Sequence, residues 1–171
     1  MYGNIWTLKK RLDYQLPCDS FEYAVSIAAS LADYFIKQRR SVGFSSSGKN
    51  IEILFTDKGE RQLSKILEIL TLINSDGDLP IRGFIESNAN YQNLGTTIIV
   101  ITTSAVVELR DAAEIIKQRG LYSVLIILDA ISFVGKGNAT KVKKNLLYYK
   151  IPMANFKYGD QIKDTLQKYL S

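Results

Sequence analysis

Residues Thr96 to Asp129 read TTIIVITTSAVVELRDAAEIIKQRGLYSVLIILD, and this stretch decides the class of fold. Thr96 to Ile101 is β-branched and apolar at consecutive positions, as a strand buried on both faces requires. Ser104 is an N-cap residue heading a helix that runs to Arg119, and Gly120 supplies its stop. Tyr122 to Leu128 repeats the fully apolar pattern and ends at Asp129. Strand, helix and strand at this spacing form a βαβ unit, whose two strands lie parallel because the helix carries the chain back across the sheet.

The flanking sequence extends the alternation. Upstream, Phe21 to Gln38 is a helix: Ala24, Val25, Ala28, Leu31, Ala32 and Phe35 recur at helical spacing behind the capping-box pair Asp19 and Glu22. The small residues Ala28, Ala29 and Ala32 let such a helix lie close to a sheet. Ser41 to Ser46 and Ile51 to Thr56 read as two strands of a hairpin around the polar turn Ser47-Gly48-Lys49-Asn50. A second capping box, Asp57 with Glu60, opens a helix striped by Leu63, Ile66, Leu67, Leu70 and Ile73 and ending near Asn74. A polar loop over 75–78 precedes a weaker helix across Leu79 to Gln92, interrupted at Gly83. Downstream, Asn138 to Tyr149 is helical, Pro152 to Phe156 a short strand, and Asp160 to Leu170 a closing helix. Ile5 to Leu8, around Trp6, is a candidate strand, either central to the sheet or flanking it.

This order predicts a three-layer, doubly wound α/β domain of Rossmann-like type: a mostly parallel sheet, with the hairpin supplying one antiparallel edge strand. Residues 20–171 form the domain, and 1–19 are an N-terminal segment holding a strand or the remnant of one. The 171 residues suffice for one core, and 46% hydrophobic with 23% charged residues is a globular composition.

Composition also narrows the chemistry. Histidine is absent and Cys18 is the single cysteine, which argues against zinc sites, disulfides and Ser-His or Cys-His catalysis. No apolar run reaches the roughly 20 residues that span a bilayer, and no signal-peptide pattern opens the chain. The chain is expected to be soluble and cytoplasmic. The net charge of +5 is concentrated in residues 136–171, where eight lysines face Asp160 and Asp164. Lys141, Lys143, Lys144 and Lys150, with Tyr148 and Tyr149, read as a solvated helix face, because no nucleic-acid motif accompanies them.

Ligands of doubly wound sheets bind at the carboxyl ends of the strands. Here those ends carry Ser45, Ser46, Thr102, Thr103, Ser104 and Asp129, with the acidic loop residues Asp76 and Asp78 as further oxygen donors. Asp129 either sits on the binding edge or caps the turn that follows it. Gly43 to Asn50 matches the phosphate-binding pattern G-x-x-x-x-G-K-[ST] except at its last position. The missing hydroxyl and the strand-like Ile51 to Phe55 make it a turn, since a P-loop needs a helix N-terminus behind the lysine.

The run FEYAVSIAASLADYF from Phe21 to Phe35, followed by Arg40-Ser-Val-Gly-Phe44, resembles the C-terminal domain of the family called "domain of unknown function 58". In that family an E-Y-x-V-x-x-A-A-S-L-A helix leads to a V-G-[LF] strand. The resemblance continues through Gly59 to Leu63, the loop Gly77 to Pro80, the strand Ile98 to Thr103 and the run Ile127 to Phe133, covering the chain after Asp19. It implies a von Willebrand factor A-like fold, a longer membrane-anchored parent protein of which this chain is the C-terminal part, and a MoxR-type AAA+ ATPase as partner. The D-x-S-x-S metal motif of von Willebrand A domains does not occur: Asp13-Tyr-Gln-Leu-Pro17 has no serine, and Thr103 stands where the fourth-strand aspartate belongs. No cofactor is therefore expected, with magnesium bound only if an upstream acidic motif completes a site.

The expected function is a non-enzymatic protein-interaction or scaffolding domain that uses the strand-end edge. The rival is an enzyme, or a nucleotide- or metal-dependent binder, using the same edge with Lys49 or Asp129 as the active group.

Overall fold

The structure, a computed structural model, describes residues 18–77, 79–103, 106–134 and 151–170. In order, the elements are α1 (Ser20–Lys37), β1 (Val42–Ser47), β2 (Ile51–Asp57), α2 (Glu60–Leu72), α3 (Ile81–Ala89), β3 (Thr97–Thr102), α4 (Val106–Gln118), β4 (Tyr122–Leu128), α5 (Ala130–Val134), β5 (Met153–Phe156) and α6 (Ile162–Leu170). The candidate strand at 5–8, the helix expected at 138–149 with its lysines, Asp78 and Ser104 lie outside the described residues.

The protein is mixed α/β, and its βαβ unit is as the sequence predicts. β3 and β4 pair in parallel from Thr97 beside Tyr122 to Thr102 beside Ile127, and β5 joins β4 in parallel in the order β3-β4-β5. Alternation of side chains sends the strands' residues to two cores. On one face Ile126, Leu128, Ala154 and Phe156 meet Tyr23, Ile27 and Leu31 of α1 and Ile162 and Leu166 of α6. On the other, Val100, Leu125 and Ile127 meet Ile85 and Ala89 of α3 and Leu109, Ala112 and Ile116 of α4. Helices thus cover both faces of this sheet, which explains why its strands are apolar throughout.

The hairpin departs from expectation. β1 and β2 pair antiparallel as a separate two-stranded sheet, not as an edge of the parallel one among the described residues. A third core, built from Ala32 and Ile36 of α1 with Ile66 and Leu70 of α2, packs on its inner side chains Val42, Phe44 and Leu54. The buried arc of α1 is therefore wider than one stripe. Tyr23, Ile27 and Leu31 serve the parallel sheet, while Ala32 and Ile36 serve the hairpin.

Two local expectations are corrected. Asp57 does not cap α2: β2 runs through Asp57, whose carboxylate accepts from the Lys58 N–H, and the N-cap is Gly59 at φ 82°, with no side-chain cap bond. Gly83 does not interrupt α3, which is continuous from Ile81 to Ala89. The stretch after Lys49 is the strand β2, as the sequence indicates, so the P-loop-like run has no helix N-terminus behind it. Asp19 does cap α1, accepting from the Phe21 N–H at 2.8 Å, and Gly120 ends α4 at φ 70°.

A β-bulge and one buried amide tie the hairpin to α2. Val42 pairs with Asp57 and Phe44 with Leu54, so Phe55 and Thr56 both stand opposite Gly43. A Cβ at Gly43 would meet the Leu54 carbonyl oxygen at 2.9 Å. Gln62, only 1% exposed, donates from Nε2 to the carbonyls of Val42 at 2.7 Å and Phe55 at 2.8 Å, filling the gap that the bulge opens. Replacing Gln62→Leu strands two buried acceptors and is expected to cost about 2–4 kcal/mol in chemical denaturation. Gly43→Ala is expected to cost about 1–3 kcal/mol by overpacking against backbone, read in the same denaturation series.

Candidate functional site

The parallel register builds one half of the site. Because Thr102 lies beside Ile127, the register carried one step on sets Thr103 beside Leu128, and Asp129 follows just past the end of that neighbouring strand. Thr103 is exposed and Asp129 half-buried. The main chain of Asp129 is committed: its N–H donates to the Phe156 carbonyl at 2.8 Å, and its carbonyl accepts from the Ser132 N–H at 2.9 Å and Oγ at 2.7 Å. Its carboxylate takes no hydrogen bond or ion pair from any described residue, so the turn is capped by the backbone of Asp129 and not by its side chain.

The rim around these strand ends is held by backbone-directed bonds. The Tyr158 N–H donates to Ser132 Oγ at 3.0 Å and the Lys157 N–H to Asp160 at 2.8 Å. Gly159, at φ 88°, turns the chain so that its N–H donates to the buried Tyr23 hydroxyl at 3.0 Å. Tyr23, Phe133 and Tyr158 stack edge-on or tilted, with ring centroids 4.9–6.3 Å apart. Cys18 donates from Sγ to the Phe133 carbonyl at 2.8 Å, which places the lone thiol on this rim.

Ser45, Ser46 and Asp76 form a second group at the tip of the hairpin. Asp76 accepts from the Lys49 N–H at 3.0 Å, locking the 48–50 turn against the following loop. Gly77 lies so close to the hairpin that a Cβ there would stand 2.5 Å from the Ser47 carbonyl oxygen. The hydroxyls of Ser46 and Ser47 are buried with no bonding partner among the described residues, a costly state for a polar group. The predicted edge residues are thus gathered as two groups on two sheets: Ser45, Ser46 and Asp76 on the hairpin, Thr102, Thr103 and Asp129 on the parallel strands. Asp78 and Ser104 are not described.

Chemically, the parallel-strand group offers a carboxylate with no partner among the described residues and one exposed hydroxyl on a fixed rim. Among the described residues no three Asp, Glu, Cys or His side chains converge as metal ligands. An apolar cavity of about 110 Å³ lies between α1 and α6, lined by Leu31, Ile99, Val124, Ile126, Ala154 and Leu166 among others. It sits over the amino halves of β4 and β5, away from Asp129. No helix among the described residues is long and apolar enough to cross a membrane.

Sequence reasoning missed Tyr23, Ser132 and Tyr158 as builders of the rim. Tyr23 was legible only as part of a helix, because its hydroxyl partner, Gly159, lies 136 residues away. Tyr23→Phe removes the acceptor of the Gly159 N–H while keeping the ring. The expected cost is about 1 kcal/mol, seen as a lower melting temperature together with faster hydrogen exchange at the Gly159 amide. Comparison of the chain with protein-family models, with curated proteins and with solved structures finds no match.

Proposed function

We propose that this chain is a protein-interaction or scaffolding domain of von Willebrand factor A-like type, related to the "domain of unknown function 58" family. Its partner docks on the carboxyl ends of β3 and β4, and a MoxR-type AAA+ ATPase is the partner that this relationship implies. The observation that carries the reading is that Thr103 and Asp129 stand just past the ends of neighbouring parallel strands. Thr103 is exposed and the Asp129 carboxylate has no partner among the described residues, at the end of a sheet covered on both faces, while the N–H and carbonyl of Asp129 are engaged. Rigid elements presenting a few free polar groups suit recognition. The order helix, hairpin, helices and then parallel strand-helix units is compatible with the proposed fold type.

The test is binding of the purified chain to a MoxR-type ATPase by sedimentation velocity. Thr103→Ala with Asp129→Ala is expected to weaken the complex at least about tenfold, a loss of roughly 1.4 kcal/mol, with the far-UV spectrum and melting curve preserved. Unchanged binding by the double variant sinks the proposed edge. A rise in melting temperature with magnesium or nucleotide would instead favour a ligand binder, since a ligand selective for the native state stabilises it.

A further inference from the structure

We propose that β2 is an interface at which a second copy of this chain adds antiparallel, making one continuous four-stranded sheet across a two-fold axis. β2 pairs with no strand but β1 among the described residues, so the outer edge of 51–54 has no strand partner among them. Leu54 points inward to the core beneath α1 and α2. Ile51, Ile53 and Phe55 point the other way and are 50%, 40% and 65% exposed. Three large apolar side chains at alternate positions on an open edge is an arrangement that edge strands ordinarily avoid. A two-stranded sheet is also the smallest and least self-sufficient kind.

The geometry of β2 selects the occupant and its register. The turn at 48–50 and the bulge at Phe55 and Thr56 bound the regular stretch as residues 51–54, in which Ile53 is the outward residue nearest the bulge. An antiparallel copy centred there sets Ile53 against its own counterpart, Ile51 against Phe55 of the second copy, and Glu52 against Leu54 of the second copy. The outward residues then form a continuous apolar ladder. Charge favours the same register. Centring on Glu52 would place two carboxylates directly opposite each other, which destabilises a strand pair, and centring on Leu54 would draw both bulge residues, Phe55 and Thr56, in beside the centre. With Ile53 at the centre, Lys49 of each copy reaches the end of the other strand, where Asp57 stands; both residues are exposed. The contact uses one patch on both copies and closes on itself, so it yields a dimer and not a filament.

Sedimentation equilibrium of the full chain, from micromolar to near-millimolar concentration, is expected to show a monomer–dimer equilibrium. Ile53→Lys puts like charges on the two-fold axis at an exposed position, and should weaken the dimer at least about tenfold with the far-UV spectrum retained. In a Cys18→Ser background under added oxidant, Ile53→Cys should form a disulfide-linked dimer, while Ile51→Cys, which faces Phe55 of the second copy, should not. A chain that stays monomeric throughout, a dimer indifferent to Ile53→Lys, or equal cross-linking at both positions overturns the proposal. So does a monomer whose β2 edge takes up an unrelated extended peptide, which would identify a foreign strand as the occupant.

Discussion

The packing of α1 against two sheets at once is the constraint on which the described structure depends. Ile27 and Leu31 enter the core of the parallel sheet, and Ala32 and Ile36 enter the core of the hairpin and α2. Residues four apart share a helix face, so a shift of one position divides these side chains into adjoining stripes. The small side chains of Ala28, Ala29 and Ala32 keep the hairpin side close. With no strand hydrogen bonds between the two sheets among the described residues, the apolar surface of α1 couples hairpin to parallel sheet. Asp33, nearly buried on the same helix, is neutralised by Lys37 one turn away at 2.6 Å.

Polar groups then do local work that apolar packing cannot. Gln62 closes the hairpin bulge, a place where regular strand pairing leaves carbonyls without partners. Tyr23, Ser132 and Asp160 likewise bind main-chain amides where β4 and β5 run out. In each case a side chain replaces a ladder bond that the end or irregularity of a strand has removed, because a desolvated amide or carbonyl left alone is expensive. Around Asp129 the same economy leaves the backbone engaged and the carboxylate without a partner among the described residues, which makes that rim the better candidate edge. The hairpin tip is different in kind: its serine hydroxyls are turned into the structure, and Asp76 is occupied with the Lys49 amide.

The unit from Thr96 to Asp129 was legible because burial on both faces leaves a composition that little else produces. The hairpin, the start of α1 at Asp19 and the stop of α4 at Gly120 were legible for equally local reasons: a turn, a side-chain cap and a positive φ. Asp57 shows the limit of such reading. Asp57 and Glu60 have the spacing of a capping box, but pairing with Val42 keeps Asp57 in the strand and passes the helix start to Gly59. Gly83 is comparable: the packing of Ile81 and Ile85 against α4 carries α3 through a residue whose intrinsic helix propensity is poor.

By itself, the sequence determined the types of most elements among the described residues, the short helix Ala130–Val134 excepted, and the parallel βαβ unit, since these depend on periodicity, short-range capping and composition. Only the tertiary structure decided that the hairpin is a separate sheet among the described residues, that Gln62 belongs in the core, and that the candidate edge is split between the parallel strands, with Thr103 and Asp129, and the hairpin tip, with Ser46 and Asp76. Those features rest on contacts between residues far apart in the chain. Their energies come from which unpaired amide or apolar surface happens to lie opposite, and no local pattern of residues encodes that.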